Sequence, residues 1–338
     1  MNLNTRVLRF GDVYPNNDFN WSLFPNQIKE LTIQRYLNDE RLEIVVDSCK
    51  ELRILNVSNS PSISDKSVDN ILKLNLLQAL YIGRTSITID GVEKLLLGLS
   101  GNETSRSTDL PFTCFGGLYD TNIKTLVENL PNIIELTLFY EYDSALLHLT
   151  KLKYLQSMSL RTDHANTTPS AEFFHSLGKQ LTCLDIENFL MIDIKCIGEN
   201  CHTLKCLHIS GKAIFDTEIP VTDELIESSR ISGLLSVECL CVEIPHDILG
   251  TLVIISQCVN VRRLFVSLYG ITLEEVLEKV SKYNKMEFLE TLCMSPWFFI
   301  TPEFANYLRE KYKNLRACYG DVFGVKRSCG IRFYDWYM

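Results

Sequence analysis

Two pairs of residues with metal-binding side chains stand out because a single residue separates the members of each pair. Cys206 and His208 form the first pair, and Cys239 and Cys241 form the second. Alternate residues of a β-strand point to one face, and neighbouring strands lie about 4.8 Å apart. If the two segments are adjacent strands, the four side chains converge, and such nitrogen and sulfur ligands suit zinc. We prefer the simpler interpretation that the thiols pack as small apolar residues. We therefore predict no metal and no other cofactor, and leave the zinc hypothesis open.

No other arrangement of reactive side chains indicates catalysis. The sequence lacks the glycine-rich phosphate-binding patterns, the nucleophile elbow of hydrolases and the paired-histidine zinc motif of metalloproteases. Its six histidines are scattered, without the spacing of a catalytic triad. We therefore predict that the protein is not an enzyme.

The composition limits the classes of partner. The formal net charge is −9 and the pI is about 5.3, and no run of Lys and Arg interrupts this acidic balance. Such a surface repels phosphate backbones, so we predict no nucleic-acid partner. The most apolar stretch, Leu249–Ile255, is too short to cross a bilayer, so we predict no membrane partner. Twelve cysteines, with no secretory signal in residues 1–12, favour reduced thiols and a cytoplasmic or nuclear location.

A repeated unit of one strand and one helix accounts for most of the sequence. Segment 49–74 begins with apolar residues at the spacing of a short strand: Leu52, Leu55 and Val57. It continues with apolar residues on one face of a helix: Val68, Ile71 and Leu72. Such a unit cannot bury its apolar face alone, so copies must stack.

Copies of the strand pattern recur along the chain at intervals of mostly about 22 to 28 residues. The last apolar residue of each copy is Ile33, Val57, Ile82, Cys114, Leu138, Leu160, Ile186, Ile209, Val242, Val266 and Met294. Cys114 marks a degraded copy around Leu110 and Phe112. The two longest intervals contain the polar stretches 100–109 and 211–223, which we predict to be inserted loops.

Local signals at helix starts agree with this period. Thr272 and Glu275 have the spacing of a capping box, and Thr301 precedes a proline at the expected first helical position, Pro302. We predict an α/β leucine-rich-repeat solenoid, a horseshoe with a parallel concave sheet and helices on the convex side. Residues 1–338 would form a single solenoid.

Both ends of the predicted solenoid need cover, because an end repeat leaves an apolar face. Residues 1–27 are predicted to contain the first strand and an N-terminal cap, since Thr5, Leu8 and Phe10 continue the strand pattern. Residues 315–338 are predicted to form the C-terminal cap. Within it, the aromatic side chains of 330–338 would cover the last repeat or fold back over the concave strands: Phe333, Tyr334, Trp336 and Tyr337.

The segment CKELRILNVSNSPSISDKSVDNILKL, residues 49–74, resembles the cysteine-containing subfamily of leucine-rich repeats. Its cysteine stands three residues before the first strand leucine, and Ile63-Ser64-Asp65 precedes the helix. Cys201 and Cys258 occupy the phase of Cys49, and Ile87-Thr88 and Ile271-Thr272 repeat the second element. Repeats of this type are best known from F-box-type substrate receptors of ubiquitin ligases, and they resemble those of ribonuclease-inhibitor-like scaffolds.

The resemblance implies a function in protein binding. We predict a protein-interaction scaffold, specifically the substrate-recognition part of a ubiquitin ligase. The strand pattern leaves no room upstream for an F-box. Either a ubiquitin-ligase adaptor binds through a missing upstream module of a longer parent chain, or the repeats act without an adaptor module. One alternative is a ribonuclease-inhibitor-like binding or inhibitor scaffold unrelated to ubiquitin. A second is a metal-dependent or cysteine enzyme built on the concave face.

The repeat register also predicts which side chains face the concave side, where solenoids bind their partners. Aromatic residues and arginines are frequent interface anchors, and charges of both signs orient a partner. The predicted partner-binding residues combine these types: Phe139, Arg161, Asp185, Glu187, Glu243, Arg263 and Phe265.

Overall fold

Within each compact unit of the chain, the strands of the repeat lie side by side in sequence order, and each pairs in parallel with the next. In this computed structural model, the residues described are 6–10, 20, 24–101, 114–139, 146–162, 170–213, 223–228, 234–244, 246–268, 271–294 and 302–319. They belong to two compact units, of which the first ends at Leu155 and the second begins at Gln156. Each unit is an α/β structure with its own aligned strands.

The described strands of the first unit are β1 (Val7–Phe10), β2 (Glu30–Ile33), β3 (Ile54–Asn56), β4 (Ala79–Tyr81), β5 (Cys114–Tyr119) and β6 (Glu135–Phe139). Its described helices are α1 (Asp39–Ser48), α2 (Val68–Leu72), α3 (Ile89–Gly101) and α4 (Ile123–Asn129). One apolar position of each strand is aligned with that of its neighbours: Leu8, Leu31, Leu55, Leu80, Phe115 and Leu136. From Leu31 onward these side chains are fully buried, so they form the core.

The described strands of the second unit are β7 (Ser157–Arg161), β8 (Cys183–Met191), β9 (Cys206–Ala213), β10 (Cys239–Glu243), β11 (Arg263–Ser267), β12 (Thr291–Met294) and β13 (Ala317–Tyr319). Its described helices are α5 (Ala171–Leu177), α6 (Ile194–Asn200), α7 (Asp223–Ser228), α8 (Ile248–Gln257), α9 (Leu273–Ser281) and α10 (Pro302–Lys311). The aligned and buried apolar positions are Met158, Leu184, Leu207, Leu240, Leu264 and Leu292. These assignments confirm the strand-plus-helix repeat.

The Ile-Ser-Asp element fastens successive repeats to one another. Asp39 accepts hydrogen bonds from the Ser64 amide at 2.9 Å, the Ser64 hydroxyl at 2.6 Å and the Ser67 hydroxyl at 2.5 Å. One repeat later, Asp65 accepts from the Thr88 amide at 2.8 Å and the Thr88 hydroxyl at 2.7 Å. Each carboxylate thus binds the segment that leads into the next helix, where amide groups would otherwise lack partners.

The cysteines in the phase of Cys49 end helices. Cys49, Cys201 and Cys258 are the C-cap residues of α1, α6 and α8, and all three are fully buried. Burial raises the pKa of Cys49 to about 11 and, together with Cys196, that of Cys201 to about 12. These side chains are therefore neutral thiols that pack as small apolar groups.

The helix-start signals are confirmed. The Thr272 hydroxyl accepts from the Glu275 amide at 3.2 Å, and the Glu275 carboxylate accepts from the Thr272 amide at 2.9 Å. These reciprocal bonds form the capping box of α9. Pro302 is the first residue of α10, while Thr301 lies outside the described residues.

The degraded copy around Leu110, Phe112 and Cys114 was placed in the wrong register by the sequence pattern. The strand begins at Cys114, and Phe115 and Leu118 take the aligned apolar positions. The register shifts between Gly116 and Leu118, and Gly117 has a φ of 93°. A Cβ at Gly117 would lie 2.2 Å from the Gly83 nitrogen, so only glycine fits this bulge. The extra residue breaks the regular spacing on which the sequence pattern depended.

Both predicted insertions are partly regular structure. Helix α3 continues to Gly101 and strand β9 continues to Ala213, so residues 100–101 and 211–213 are not loop. Asp223 already begins α7. The remaining parts, 102–109 and 214–222, lie outside the described residues.

At the ends, β1 pairs with β2 in the predicted register, Leu8 with Leu31 and Phe10 with Ile33, while Thr5 lies outside the described residues. A strand absent from the sequence prediction, β13, pairs with β12 inside the predicted C-terminal cap of 315–338. It places Cys318, not a leucine, opposite Leu292, so the repeat pattern did not detect it. Segment 330–338 lies outside the described residues, so its capping role stays a prediction, as does the single solenoid over 1–338. No helix among the described residues has the length and apolar character needed to cross a membrane.

Candidate partner-binding face

On each strand of the second unit, a second set of side chains alternates with the aligned apolar residues and therefore points to the opposite side of the sheet. We call the side formed by this set on β7–β12 the polar face. Its middle row, in register across six strands, is Ser159, Asp185, His208, Cys241, Phe265 and Cys293. An adjacent row is Arg161, Glu187, Ser210, Glu243 and Ser267.

A buried ionic network occupies the polar face at β7, β8 and β9. His208 Nδ1 lies 2.7 Å from Asp185 Oδ1, and each side chain is 1% exposed. The Ser159 hydroxyl donates to Asp185 Oδ2 at 2.8 Å. Beside this pair, Arg161 Nη2 donates to Glu187 Oε1 at 3.1 Å. Three adjacent strands thus hold two carboxylates against a guanidinium and an imidazole.

The network favours the charged forms of Asp185 and His208. Burial raises the pKa of Asp185, but His208, Arg161 and the Ser159 hydroxyl outweigh it and hold the pKa below its ordinary value. Burial lowers the pKa of His208, but the adjacent Cys241 and Asp185 outweigh it and raise the pKa well above its ordinary value. The two shifts agree that the metal-free pair is a carboxylate and an imidazolium.

Cysteines dominate the polar face at β8 to β12. Cys239, Cys241, Phe265 and Cys293 form a buried cluster, against which Cys183 and Cys206 pack. Every member alternates with the aligned apolar residues along its strand, so this cluster lies on the opposite side of the sheet from the leucine core. A hydrogen bond from Cys206 is the main cause that lowers the pKa of Cys239 to about 7.

The zinc hypothesis from the sequence is only half matched by the geometry. Cys206 and Cys239 are register partners, as are His208 and Cys241, so the predicted adjacency of strands is confirmed. Among the described residues, however, the potential ligand atoms that come within 4.8 Å of one another form two groups that share His208: one with Cys241 and Glu243, the other with Asp185 and Glu187. Cys206 and Cys239 belong to neither group, although Cys239 shares the buried cysteine cluster with Cys241 and Cys206 packs against it.

The predicted partner-binding residues of the second unit differ in exposure. Asp185, Glu187 and Phe265 are 1%, 2% and 7% exposed, so these three contribute little open surface. Arg161, Glu243 and Arg263 are half-buried on the same side. The strand period predicts to which side a residue points but not how far the side chain is exposed there. A role of these residues in partner binding stays a prediction.

Phe139 belongs to the first unit and is also buried, at 4% exposure. Its ring stacks on Tyr119 with a centroid distance of 5.3 Å. Tyr119 is 38% exposed and was missed by the sequence analysis, because the bulge at Gly117 hid the register of β5. On the same sheet, the Tyr81 hydroxyl donates to Glu135 at 3.0 Å.

The strands are parallel and in register, each has a buried leucine-type position, and helices alternate with them. These features define an α/β leucine-rich-repeat solenoid. Among solved structures, the chain is similar to a chain in the crystal structure of the Rad7 and Elc1 complex from yeast, with a TM-score of 0.50 and 14% sequence identity. The match covers 81% of this chain and 79% of that chain. At this identity the likeness shows the fold alone. No protein-family model matches the sequence, and no curated protein matches it in sequence.

Proposed function

We propose that the protein is a protein-interaction scaffold that binds its partner through the polar face of the second unit and, in the first unit, through the Phe139 region. The observation that carries the proposal is that six of the predicted residues lie on one side of the sheet, at paired positions of β7 and β8 and of β10 and β11. Five adjacent strands, β7 to β11, span about 19 Å at 4.8 Å per strand. That width is compatible with the roughly 800 Å² that one partner contributes to a standard interface.

Burial of ionisable groups on this face supports a role beyond folding. The aligned leucines already form the core, so the core does not depend on burial of Asp185 and Glu187. Transfer of these carboxylates out of water costs several kcal/mol per ion. Clusters of buried ionisable groups with strong mutual interactions are candidates for functional sites. A network of this kind also holds neighbouring side chains in one geometry, which lowers the entropy cost of binding.

The six residues then have two roles in the proposed interface. Arg161, Glu243 and Arg263 are half-buried and would contact the partner directly. Asp185 and Glu187 are buried and would hold that surface in place, since Glu187 accepts from Arg161 at 3.1 Å. Phe265, in the cysteine cluster, would support Arg263 on the same strand. Side chains of both signs favour a partner that also carries both charges.

The more specific proposal is that the partner is a ubiquitination substrate, and that the chain is the substrate-recognition part of a ubiquitin ligase in the cytoplasm or nucleus. The resemblance of segment 49–74 to repeats of F-box-type substrate receptors supports it. The likeness in fold to a chain of the Rad7 and Elc1 complex supports only the broader role, since that chain is in a complex with another protein. In this proposal the chain has no catalytic activity of its own.

A pair of charge reversals tests the site. Arg263→Glu with Glu243→Lys should abolish recovery of partners in affinity purification followed by mass spectrometry, with the unfolding transition retained. Lys195→Glu on α6 is the matched control, since its side chain is 72% exposed and lies away from the sheet face on a helix. It should leave partner recovery unchanged. A double variant that keeps its partners would exclude this face.

The identity of the recovered proteins separates the alternatives. Recovery of ubiquitin-ligase subunits together with a further partner that only the face variants lose would support substrate recognition. A single tightly bound enzyme without such subunits would favour the ribonuclease-inhibitor-like alternative.

A further inference from the structure

A group of potential metal ligands lies on the polar face where β9 meets β10. His208 and Cys241 are register partners on these two strands, and Glu243 follows two residues later on the same side. Their ligand atoms all lie within 4.8 Å of one another, and Cys241 Sγ is 4.0 Å from Glu243 Oε1. We infer that His208, Cys241 and Glu243 bind one zinc ion, a property that goes beyond the proposed partner binding.

The donor types select the metal. A thiolate, an imidazole and a carboxylate form a set that suits zinc, whereas magnesium and calcium take oxygen ligands. Zinc–ligand distances of 2.0 to 2.3 Å place the ligand atoms roughly 3.5 Å apart. Cys241 Sγ and Glu243 Oε1, at 4.0 Å, would need to close by roughly 0.5 Å on the ion, and no pair would need to close by more than about 1.3 Å. Three protein ligands leave a fourth position for water or a partner's side chain.

Asp185 supplies the outer support that a metal-binding histidine requires. Zinc-binding histidines direct their second ring nitrogen to a carboxylate or carbonyl, which sets the tautomer and the ring orientation. Here His208 Nδ1 faces Asp185 Oδ1 at 2.7 Å, and Asp185 is itself held by the Ser159 hydroxyl at 2.8 Å. A proton on Nδ1 places the lone pair on Nε2, which is the ligand atom in this proposal.

The electrostatic environment also favours a divalent cation. His208 and Cys241 are each 1% exposed, and the carboxylates of Asp185 and Glu187 lie in the same buried network. A zinc ion would offset the charges of the Cys241 thiolate and the Glu243 carboxylate, with a neutral His208 as third ligand.

The assignment differs from the four-residue hypothesis of the sequence in a testable way. Cys206 and Cys239 are not ligands here, although Cys239 shares the buried cysteine cluster with Cys241 and Cys206 packs against that cluster. Cys206→Ala is therefore a matched control for Cys241→Ala, since both remove one thiol from adjacent strands of the same face.

Zinc content of the full chain tests the inference. Protein produced with added zinc and purified without chelator is expected to contain about one zinc per chain by elemental mass spectrometry. Cys241→Ala and His208→Gln should lose the metal, while Cys206→Ala should retain it. After replacement by cobalt, the thiolate-to-cobalt absorption band should be present in wild type and Cys206→Ala and absent in Cys241→Ala.

Wild type without zinc, or zinc retained by Cys241→Ala, would overturn the assignment. Equal loss in Cys206→Ala and Cys241→Ala would also overturn it in favour of the four-residue set. If Cys241→Ala fails to fold, Glu243→Gln takes its place, since Glu243 is half-buried and its removal should reduce zinc affinity by at least tenfold. Zinc retained at unchanged affinity in that variant counts against the site. All these measurements use the isolated chain, so they are independent of partner recovery.

Discussion

Asp185 and His208 face each other across β8 and β9 with 2.7 Å between Oδ1 and Nδ1, and both side chains are almost completely buried. Removal of one partner from a buried ion pair leaves the other charge without compensation. A substitution that removes one charge on the polar face should therefore lower the free energy of unfolding through the loss of ion pairing. This cost does not arise at the apolar positions of the leucine core.

We expect Asp185→Asn to lower the free energy of unfolding by about 3 to 5 kcal/mol, because the His208 imidazolium would stay buried without its carboxylate. Urea-induced unfolding in the presence of a zinc chelator measures the change. Lys205→Gln is the control: its ion pair with Glu238, at 2.9 Å, has side chains 53% and 42% exposed. That control should lose less than about 1 kcal/mol. Equal losses in both variants would contradict the importance of burial at Asp185.

Arg161 and Glu187 should stabilise the fold jointly and not independently. Their side chains are 14% and 3% exposed, and Arg161 donates to Glu187 at 3.1 Å. A cycle of Arg161→Gln, Glu187→Gln and the double variant is expected to give a coupling energy of about 0.5 to 3 kcal/mol. Arg161→Gln should be the more harmful single change, since it leaves the more deeply buried Glu187 carboxylate without its guanidinium. Additive losses would mean that the contact contributes nothing.

Asp39 should stabilise the first unit in a pH-dependent manner. Burial raises its pKa, but hydrogen bonds from Ser64 and Ser67 outweigh this and lower the pKa below 3.8. A carboxyl group with a lowered pKa in the folded state adds stability above its unfolded pKa. That stability is lost as the pH falls through the folded pKa.

Asp39→Asn is therefore expected to cost about 1 kcal/mol at pH 7, and the difference from wild type should shrink below pH 3.8. Denaturant unfolding at pH 7, 5 and 3 measures it. Glu40→Gln changes an exposed acid in the same helical turn and should have little effect. A loss that is the same at every pH would show that charge at Asp39 is not involved.

Gly117→Ala should destabilise the first unit by more than about 1 kcal/mol, because the residue has a φ of 93° and its new Cβ would meet the Gly83 nitrogen at 2.2 Å. Gly83→Ala is a milder comparison. Its Cβ would meet the Phe139 ring at 3.3 Å, and Gly83 lacks a positive φ. Thermal unfolding of both variants checks the order. A Gly117→Ala protein as stable as wild type would contradict the bulge.

The repeat could be predicted from the sequence because it depends on local periods. Leu52, Leu55 and Val57 lie on one side of a strand whatever surrounds them, and all three are fully buried. The capping box at Thr272 and Glu275 is likewise local, since its two hydrogen bonds join residues three apart. The register of β5 could not be predicted, because the bulge at Gly117 depends on the close approach of Gly83 on another strand.

The sequence by itself determined the α/β repeat and the side of the sheet to which Arg161, Asp185 and Phe265 point, since the alternation of a strand is a property of the backbone. Only the tertiary structure decided that Asp185 and Phe265 are buried and that Arg161 is half-buried. It also decided that His208 pairs with Asp185 and lies close to Cys241 and Glu243. These relationships join residues 23 or more positions apart, and their distances depend on strand register and on what packs over the face, neither of which a local period contains.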